Sequence, residues 1–229
     1  MSNEEFSRQA ALIGENAVKD LFGKHVAIFG VGGVGGYVCE ALARSGIGEF
    51  TIVDGDIVAL SNINRQIIAL HSTLGQCKTF VMKKRICDIN ENVRVNTIDA
   101  FIDENNIDCI KMDQFDYIVD AIDTMRTKVL IVQKAKICNV PIISSMGAAN
   151  RLDPTKFEIS DIYKTSGCPV ARIMRRELRK INVDKLNVVY SKEIPKKPRV
   201  NEKPVLGSVS FVPPVMGMIL ASKVISDLI

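Results

Sequence analysis

A glycine-rich turn between an apolar strand and a helix is the feature that most narrows what this chain can become. His25-Val-Ala-Ile-Phe-Gly30-Val-Gly32-Gly33-Val-Gly35-Gly36 leads into Tyr37-Val-Cys-Glu-Ala-Leu-Ala-Arg44. Val26 to Phe29 is continuously apolar with β-branched members, the pattern of a strand covered on both faces. Gly30, Gly32 and Gly35 fit G-x-G-x-x-G, with Gly33 inside the turn, and good helix formers follow. Such a turn gathers free N–H groups and the positive end of a helix dipole at one point, which suits a phosphate. Alone, the spacing would serve packing equally well. Asp54 tips the balance, because it closes a second strand, Phe50-Thr-Ile-Val53, about 20 residues on, where an acid can bind ribose hydroxyls.

The rest of the chain alternates in the same way. Apolar spacing predicts a helix over residues 4–22, another over 79–90, a strand over 93–98 and a short helix over 105–112. A strand over 116–123, a helix over 127–139 and a strand over 140–144 follow. Beyond Ala148 the pattern loosens into a strand (157–160), a helix (169–181), a strand (188–190), an open basic loop (195–204) and a closing helix (215–229). This predicts an α/β fold, a Rossmann-like, doubly wound, mainly parallel sheet. The expected organisation is a single domain, 1–229, with a nucleotide-binding core (6–150) and a C-terminal basic lobe (151–229). Ligands of such sheets sit beyond the carboxyl ends of the strands, where Asp54, Asp56 and Asp123 fall.

Composition excludes several classes. The six cysteines are scattered without C-x-x-C spacing, which argues for free thiols and against a disulfide framework or a structural zinc. Met1 to Glu5 is acidic, with no apolar leader, and the longest apolar stretch, Val209 to Leu220, carries Pro213 and Pro214 and is too short to span a bilayer. A cytoplasmic protein without an integral membrane segment is expected. The net charge of +4 hides an asymmetry: Lys164 to Lys203 holds 12 basic residues against 4 acidic ones. That surplus suggests a polyanionic partner. Arg172, Arg175, Arg176 and Arg179 recur at helical spacing, opposite Ile173, Met174, Leu178 and Ile181, and Lys196-Lys197-Pro-Arg199 reads as a flexible arm. A solvated face is the bland account of such a stripe, but four arginines on one face with almost no acids favour phosphate binding, as a nucleic-acid substrate would need.

Hydride transfer has no use for Asp56, Asn64, Arg65, Gln66, Lys78 and Asp123 added to the same crevice. Attack at the α-phosphate of a nucleoside triphosphate does. Arg65 and Lys78 would neutralise phosphate oxygens and the departing pyrophosphate, and Asp123 would hold Mg²⁺. Each has a bland alternative: Lys78 as a surface lysine, Asp123 as a helix N-cap, Asn64 as a turn former. Cys168, in Ser166-Gly-Cys-Pro169, reads as a loop cysteine before the basic helix, while Cys39, Cys77, Cys87, Cys109 and Cys138 read as packing residues. His25 reads as structural, and His71 ends the Arg65 loop.

The ordered set Gly30–Gly36, Asp54-Gly-Asp56, Asn62-x-Asn64-Arg65-Gln66, Gly75-x-x-Lys78 and Asp120-Ala-Ile-Asp123 resembles the adenylating E1-like superfamily of ubiquitin-activating enzymes and sulfur-carrier adenylyltransferases. Arg8-Gln-x-x-Leu-Ile-Gly14, Ala43-Arg-Ser-Gly-Ile-Gly48, the extension to Lys128, Asp161-Ile-Tyr-Lys-Thr165 and Gly207-Ser-Val-Ser-x-Val-Pro-Pro are similar to its tRNA threonylcarbamoyladenosine dehydratase branch. The resemblance implies that Asp54 binds ribose, that Arg65 and Lys78 bind phosphates and that Asp123 is the magnesium residue. It implies that Arg8 reaches into a neighbouring subunit's ATP site, hence a homodimer, and it leaves room for a sulfur-relay protein. The implied substrate is tRNA carrying threonylcarbamoyladenosine. The rival readings are an adenylyltransferase acting on the C-terminus of a ubiquitin-like sulfur carrier and a non-catalytic nucleotide-binding regulator.

Overall fold

The structure, a computed structural model, describes residues 4–229; Met1 to Asn3, part of the acidic Met1–Glu5 stretch from which no leader was expected, lie outside the described residues. Seven strands form one sheet: β1 (His25–Phe29), β2 (Glu49–Val53), β3 (Arg94–Ile98), β4 (Tyr117–Asp120), β5 (Ile142–Ser145), β6 (Phe157–Asp161) and β7 (Asn187–Ser191). Their order is β3-β2-β1-β4-β5-β7-β6, parallel throughout except for β6, which closes one edge antiparallel to β7. The register sets Val26 opposite both Phe50 and Tyr117, so the central strand is paired on both sides.

Alternation along β1 builds two cores, as the two-unit period of a strand requires. Val26 and Ile28 join a cluster completed by α3 (Gly35–Arg44), α4 (Lys78–Ile89) and α7 (Val212–Leu228). Ala27 and Phe29 enter a second, completed by α5 (Met125–Ile137) and α6 (Pro169–Lys180). Strands covered on both faces must be apolar on both, which is why β1 reads as an unbroken hydrophobic run. The segment 151–229 adds β6 and β7 to the same sheet and lays α7 against α3.

Three of the expected helices depart from expectation. The helix expected over 4–22 is two, α1 (Ser7–Ile13) and α2 (Glu15–Phe22), broken at Gly14, whose φ of +90° no right-handed helix accommodates. Residues 105–112 do not form a helix but lead through two 3₁₀ turns, Ile107–Cys109 and Met112–Gln114. Asn106 Oδ1 accepts from Asp103 N at 2.9 Å and Asp103 Oδ1 from Asn105 N at 2.8 Å, local bonds that compete with helix bonds. The closing helix begins at Val212 rather than Val215, because Pro213 and Pro214 fall in its first turn, where the missing N–H has no helical partner anyway. Among the described residues no helix is long and apolar enough to cross a membrane.

Candidate active site

Strand order reverses between β1 and β4, and a cleft of about 990 Å³ opens there at the carboxyl ends. One wall is the glycine turn. Gly30 takes φ +91°, and a Cβ on it would lie 2.8 Å from the Ala121 carbonyl. Gly30, Gly32 and Gly33 face the cleft, but Gly35 does not. A Cβ at Gly35 would sit 1.8 Å from the Gly30 carbonyl oxygen, so its part is to let α3 start directly under the turn.

Asp54 bridges the turn to the loop after β2. Its Oδ2 accepts from Val31 N at 2.7 Å and its Oδ1 from Asp56 N at 2.9 Å. A carboxylate has about four lone-pair sites, so acceptor capacity remains for a ligand hydroxyl. Lys78 opens α4, its backbone N–H donating to the Asp56 carbonyl and its Nζ lying 2.7 Å from Asp56 Oδ2. The lysine is 5% exposed, so it is not a surface lysine, whereas Asp56 is open to solvent. A phosphate entering the cleft therefore meets an ammonium whose one ion-pair partner among the described residues is a half-solvated carboxylate.

The Ser61–Gln66 loop packs directly against the turn, where a Cβ on Gly33 would lie 3.3 Å from Arg65 Cγ, and lines the cleft beside it. Arg65 Nη1 donates to Ser61 O and to Asn64 Oδ1, both at 2.9 Å, and Asn64 Nδ2 donates to Ser208 O at 3.0 Å. Asn64 thus aims the arginine, a role beyond turn formation. Gln66 is buried beside Gly32 with its Oε1 unpartnered. An orphaned buried acceptor costs about 1–3 kcal/mol and marks a place for a ligand donor. Asp123 stands exposed at the mouth; the N-cap position of α5 belongs to Thr124, so capping does not explain Asp123. Arg8, on the exposed face of α1, is not among the residues lining this cleft.

The floor holds a pair that sequence reasoning left without a role. Lys128 Nζ bonds Asp120 Oδ2 and the Ile122 carbonyl, each at 2.9 Å, both side chains being fully buried. Ser144 Oγ donates to the same carboxylate, and Ile122 N to its other oxygen at 3.2 Å. The network clamps the loop that carries Asp123. Its only sequence signal was the lysine closing the Asp120-to-Lys128 motif.

Cys168 is buried at the N-cap of α6 against Gly147 of the cleft wall, not in an open loop. Cys39 packs in the core, but Cys77, Cys87 and Cys109 are exposed thiols rather than packing residues. His71 is exposed and lies outside the cleft. The arginine stripe of α6 is largely engaged: Arg175 donates to Thr165, Arg176 and Lys180 pair with Glu177, and Arg179 stacks on Tyr163.

A glycine turn at a strand-order reversal, with two cations lining the same cleft, is the site of the doubly wound nucleotide-binding class. Within that class the chain belongs to the ThiF family, whose profile matches residues 6–228. It is 40% identical to the tRNA threonylcarbamoyladenosine dehydratase of Bacillus subtilis (strain 168) over 240 residues, 98% of this chain and 94% of that protein. To the enzyme of the same name from Escherichia coli (strain K12) it is 36% identical over 176 residues, 77% of this chain and 66% of that protein. The structure of E. coli TcdA, tRNA N6-threonylcarbamoyladenosine dehydratase, in complex with ATP superposes with a TM-score of 0.92 at 31% identity, covering 98% of this chain and 93% of that one.

Proposed function

We propose that this protein is an ATP-dependent tRNA threonylcarbamoyladenosine dehydratase, which adenylates the carboxylate of N6-threonylcarbamoyladenosine in tRNA and cyclises it. The observation that carries this reading is that Arg65 and the buried Lys78 line one cleft together with the glycine turn, with Asp123 at its mouth. The threonyl carboxylate attacks the α-phosphorus and pyrophosphate departs, its charge met by Arg65 and Lys78. An amide nitrogen of the modified side chain then closes on the activated carbonyl, loses its proton and expels AMP, so the net change in the base is loss of one water. Carboxylate oxygen is a poor leaving group and AMP a good one, which is what the first step achieves. Asp54 takes the ribose hydroxyls, and Gln66 Oε1 is an acceptor in want of a donor from the nucleoside.

Mg²⁺ fits as a companion of the nucleotide. Among the described residues no group of three or more His, Cys, Asp or Glu side chains could hold a metal, so Asp123 would share the ion with phosphate oxygens, for which it supplies charge neutralisation. The basic surplus of 164–203 supports a tRNA substrate. Arg8 is assigned to the ATP cleft of a second copy, in a cytoplasmic homodimer. Its exposure, away from its own cleft, supports that assignment.

The test is mass spectrometry of nucleosides from modified tRNA incubated with protein and ATP. The expected outcome is loss of one water from threonylcarbamoyladenosine, with AMP and pyrophosphate released in step. Pyrophosphate release that needs a sulfur-carrier protein instead of tRNA would hand the site to the rival adenylyltransferase reading.

A further inference from the structure

The basic segment after β7 is not an open, flexible arm but a built hairpin. β8 (Arg199–Val200) pairs with β9 (Lys203–Pro204), and Val205 N donates to Pro198 O at 3.1 Å. Asn201 and Glu202 at the tip both take positive φ, 47° and 64°, the handedness that matches a two-residue turn to the twist of its strands. Lys196, Lys197, Arg199 and Lys203 are exposed, and none forms an ion pair among the described residues. The contrast with α6, whose cations are mostly engaged, makes this hairpin the stronger grip for a polyanion.

Asn150 holds both feet of the hairpin. Its N–H donates to Gly207 O at 2.8 Å, its Oδ1 accepts from Gly207 N at 2.6 Å, and its carbonyl accepts from Lys196 N at 2.8 Å. To do so it sits at φ 62°, a conformation that asparagine tolerates better than other side chains. The bonds continue inward. Ser208, next to Gly207 and lining the cleft, accepts from Asn64, which in turn accepts from Arg65. A cavity of about 350 Å³ lies between Asn150 and the hairpin, and Leu206 borders both it and the cleft.

We propose that Asn150 is a positioning residue: it fixes the hairpin beside the cleft mouth, so that Lys196, Lys197, Arg199 and Lys203 take the ribose–phosphate backbone of the tRNA in register with Arg65. This rests on the tRNA reading above. Four unpaired cations on a loose arm would bind a polyanion without placing it; on a hairpin tied to the Arg65 loop, they set where the reacting base lands.

The experiment measures tRNA affinity by fluorescence anisotropy across a salt series, and ATP affinity separately, on the full chain. Asn150→Gly keeps the left-handed backbone and removes the Oδ1 bond. It is expected to weaken tRNA binding roughly threefold to tenfold, with ATP affinity unchanged. Lys196→Ala with Lys197→Ala is expected to lower the slope of log affinity against log salt by about 1.4 to 1.8 in the wild type, and by clearly less in the Asn150→Gly background. Wild-type tRNA affinity in Asn150→Gly would overturn the proposal. So would equal losses for tRNA and ATP, or strict additivity of the two sets of changes. If the wild-type protein binds tRNA but forms no AMP with modified tRNA, the functional reading falls, while the affinities still decide the role of Asn150.

Discussion

Lys128 shows how a residue can govern a site without facing a ligand. Its ammonium and the Asp120 carboxylate are both inside the protein, and a buried pair broken from one side leaves an uncompensated charge. Lys128→Met should therefore lower stability by about 3–5 kcal/mol, read as a drop in the urea midpoint, and Asp120→Asn added to it should recover part of the loss. A midpoint equal to wild type would mean that the pair does not hold the Asp123 loop. Lys78 belongs to a different case, since Asp56 remains solvated when the lysine is gone. Lys78→Ala should cut pyrophosphate release by about a hundredfold or more, at the scale of a lost charge-stabilising group, while the melting temperature stays close to wild type. Turnover at the wild-type rate in that variant would remove Lys78 from the chemistry. Both lysines stand within motifs, but only Lys78 was legible as a site residue. A lysine placed just ahead of a helix, in step with Asp54 and Arg65, announces a phosphate. A lysine on the first turn of α5 looks solvent-facing until the chain is seen to fold it back over Asp120.

At the scale of elements, helical period tells which residues share a face and is silent about what stands opposite. The stripe on α6 illustrates this. Arg172 and Arg175 are three residues apart, yet Arg172 is exposed, whereas Arg175 Nη1 donates to the Thr165 carbonyl at 3.1 Å and also to its hydroxyl. Arg175→Ala is thus expected to cost about 1–2 kcal/mol of stability by leaving the buried Thr165 hydroxyl and carbonyl short of a donor. Arg172→Ala should change stability by less than about 0.5 kcal/mol. Urea denaturation of the two single variants checks the contrast, and equal midpoints would return Arg175 to the solvated face. The same limit explains the other departures. Gly14 carries no periodic signal against continuing a helix, and the Asp103–Asn106 bonds that win over helix in 105–112 are a competition between local structures of similar strength. The hairpin of 196–206 was invisible because its anchor, Asn150, is more than forty residues away in sequence.

For the molecule as a whole, the strand-turn-helix start and the repeated β-α units were enough to place the sheet and its carboxyl edge. What no local pattern carried is how the layers lock together, and two of those locks are titratable. His25, at the head of β1, bonds Thr51 of β2 at 2.9 Å and meets the edge of Phe115 at 4.9 Å. Burial pulls its pKa below the ordinary histidine value, although the carboxylates of Glu49 and Asp116 pull the other way. Glu40 of α3 is bound by Arg44 of the same helix and by Arg85 of α4, Nε to Oε2 2.6 Å. Burial pushes its carboxyl up, but the bonds from Arg85 and Arg44 outweigh that and leave it below the usual carboxylate range. In both cases the folded state gives up its proton more readily than the unfolded chain does. Acid therefore favours the unfolded chain, so each contribution is complete above the unfolded pKa and is lost as pH falls through the folded one. The expected profile has two stages: a decline beginning near pH ~6.5 from His25, and a further one below about 4.3 from Glu40. Urea midpoints at about pH 7.5, 5.5 and 4 read both stages. His25→Gln, which stays neutral and can still bond Thr51, should flatten the first interval and leave the second. A wild-type midpoint that does not move between the two higher pH values would show that the β1–β2 lock is indifferent to the charge on His25.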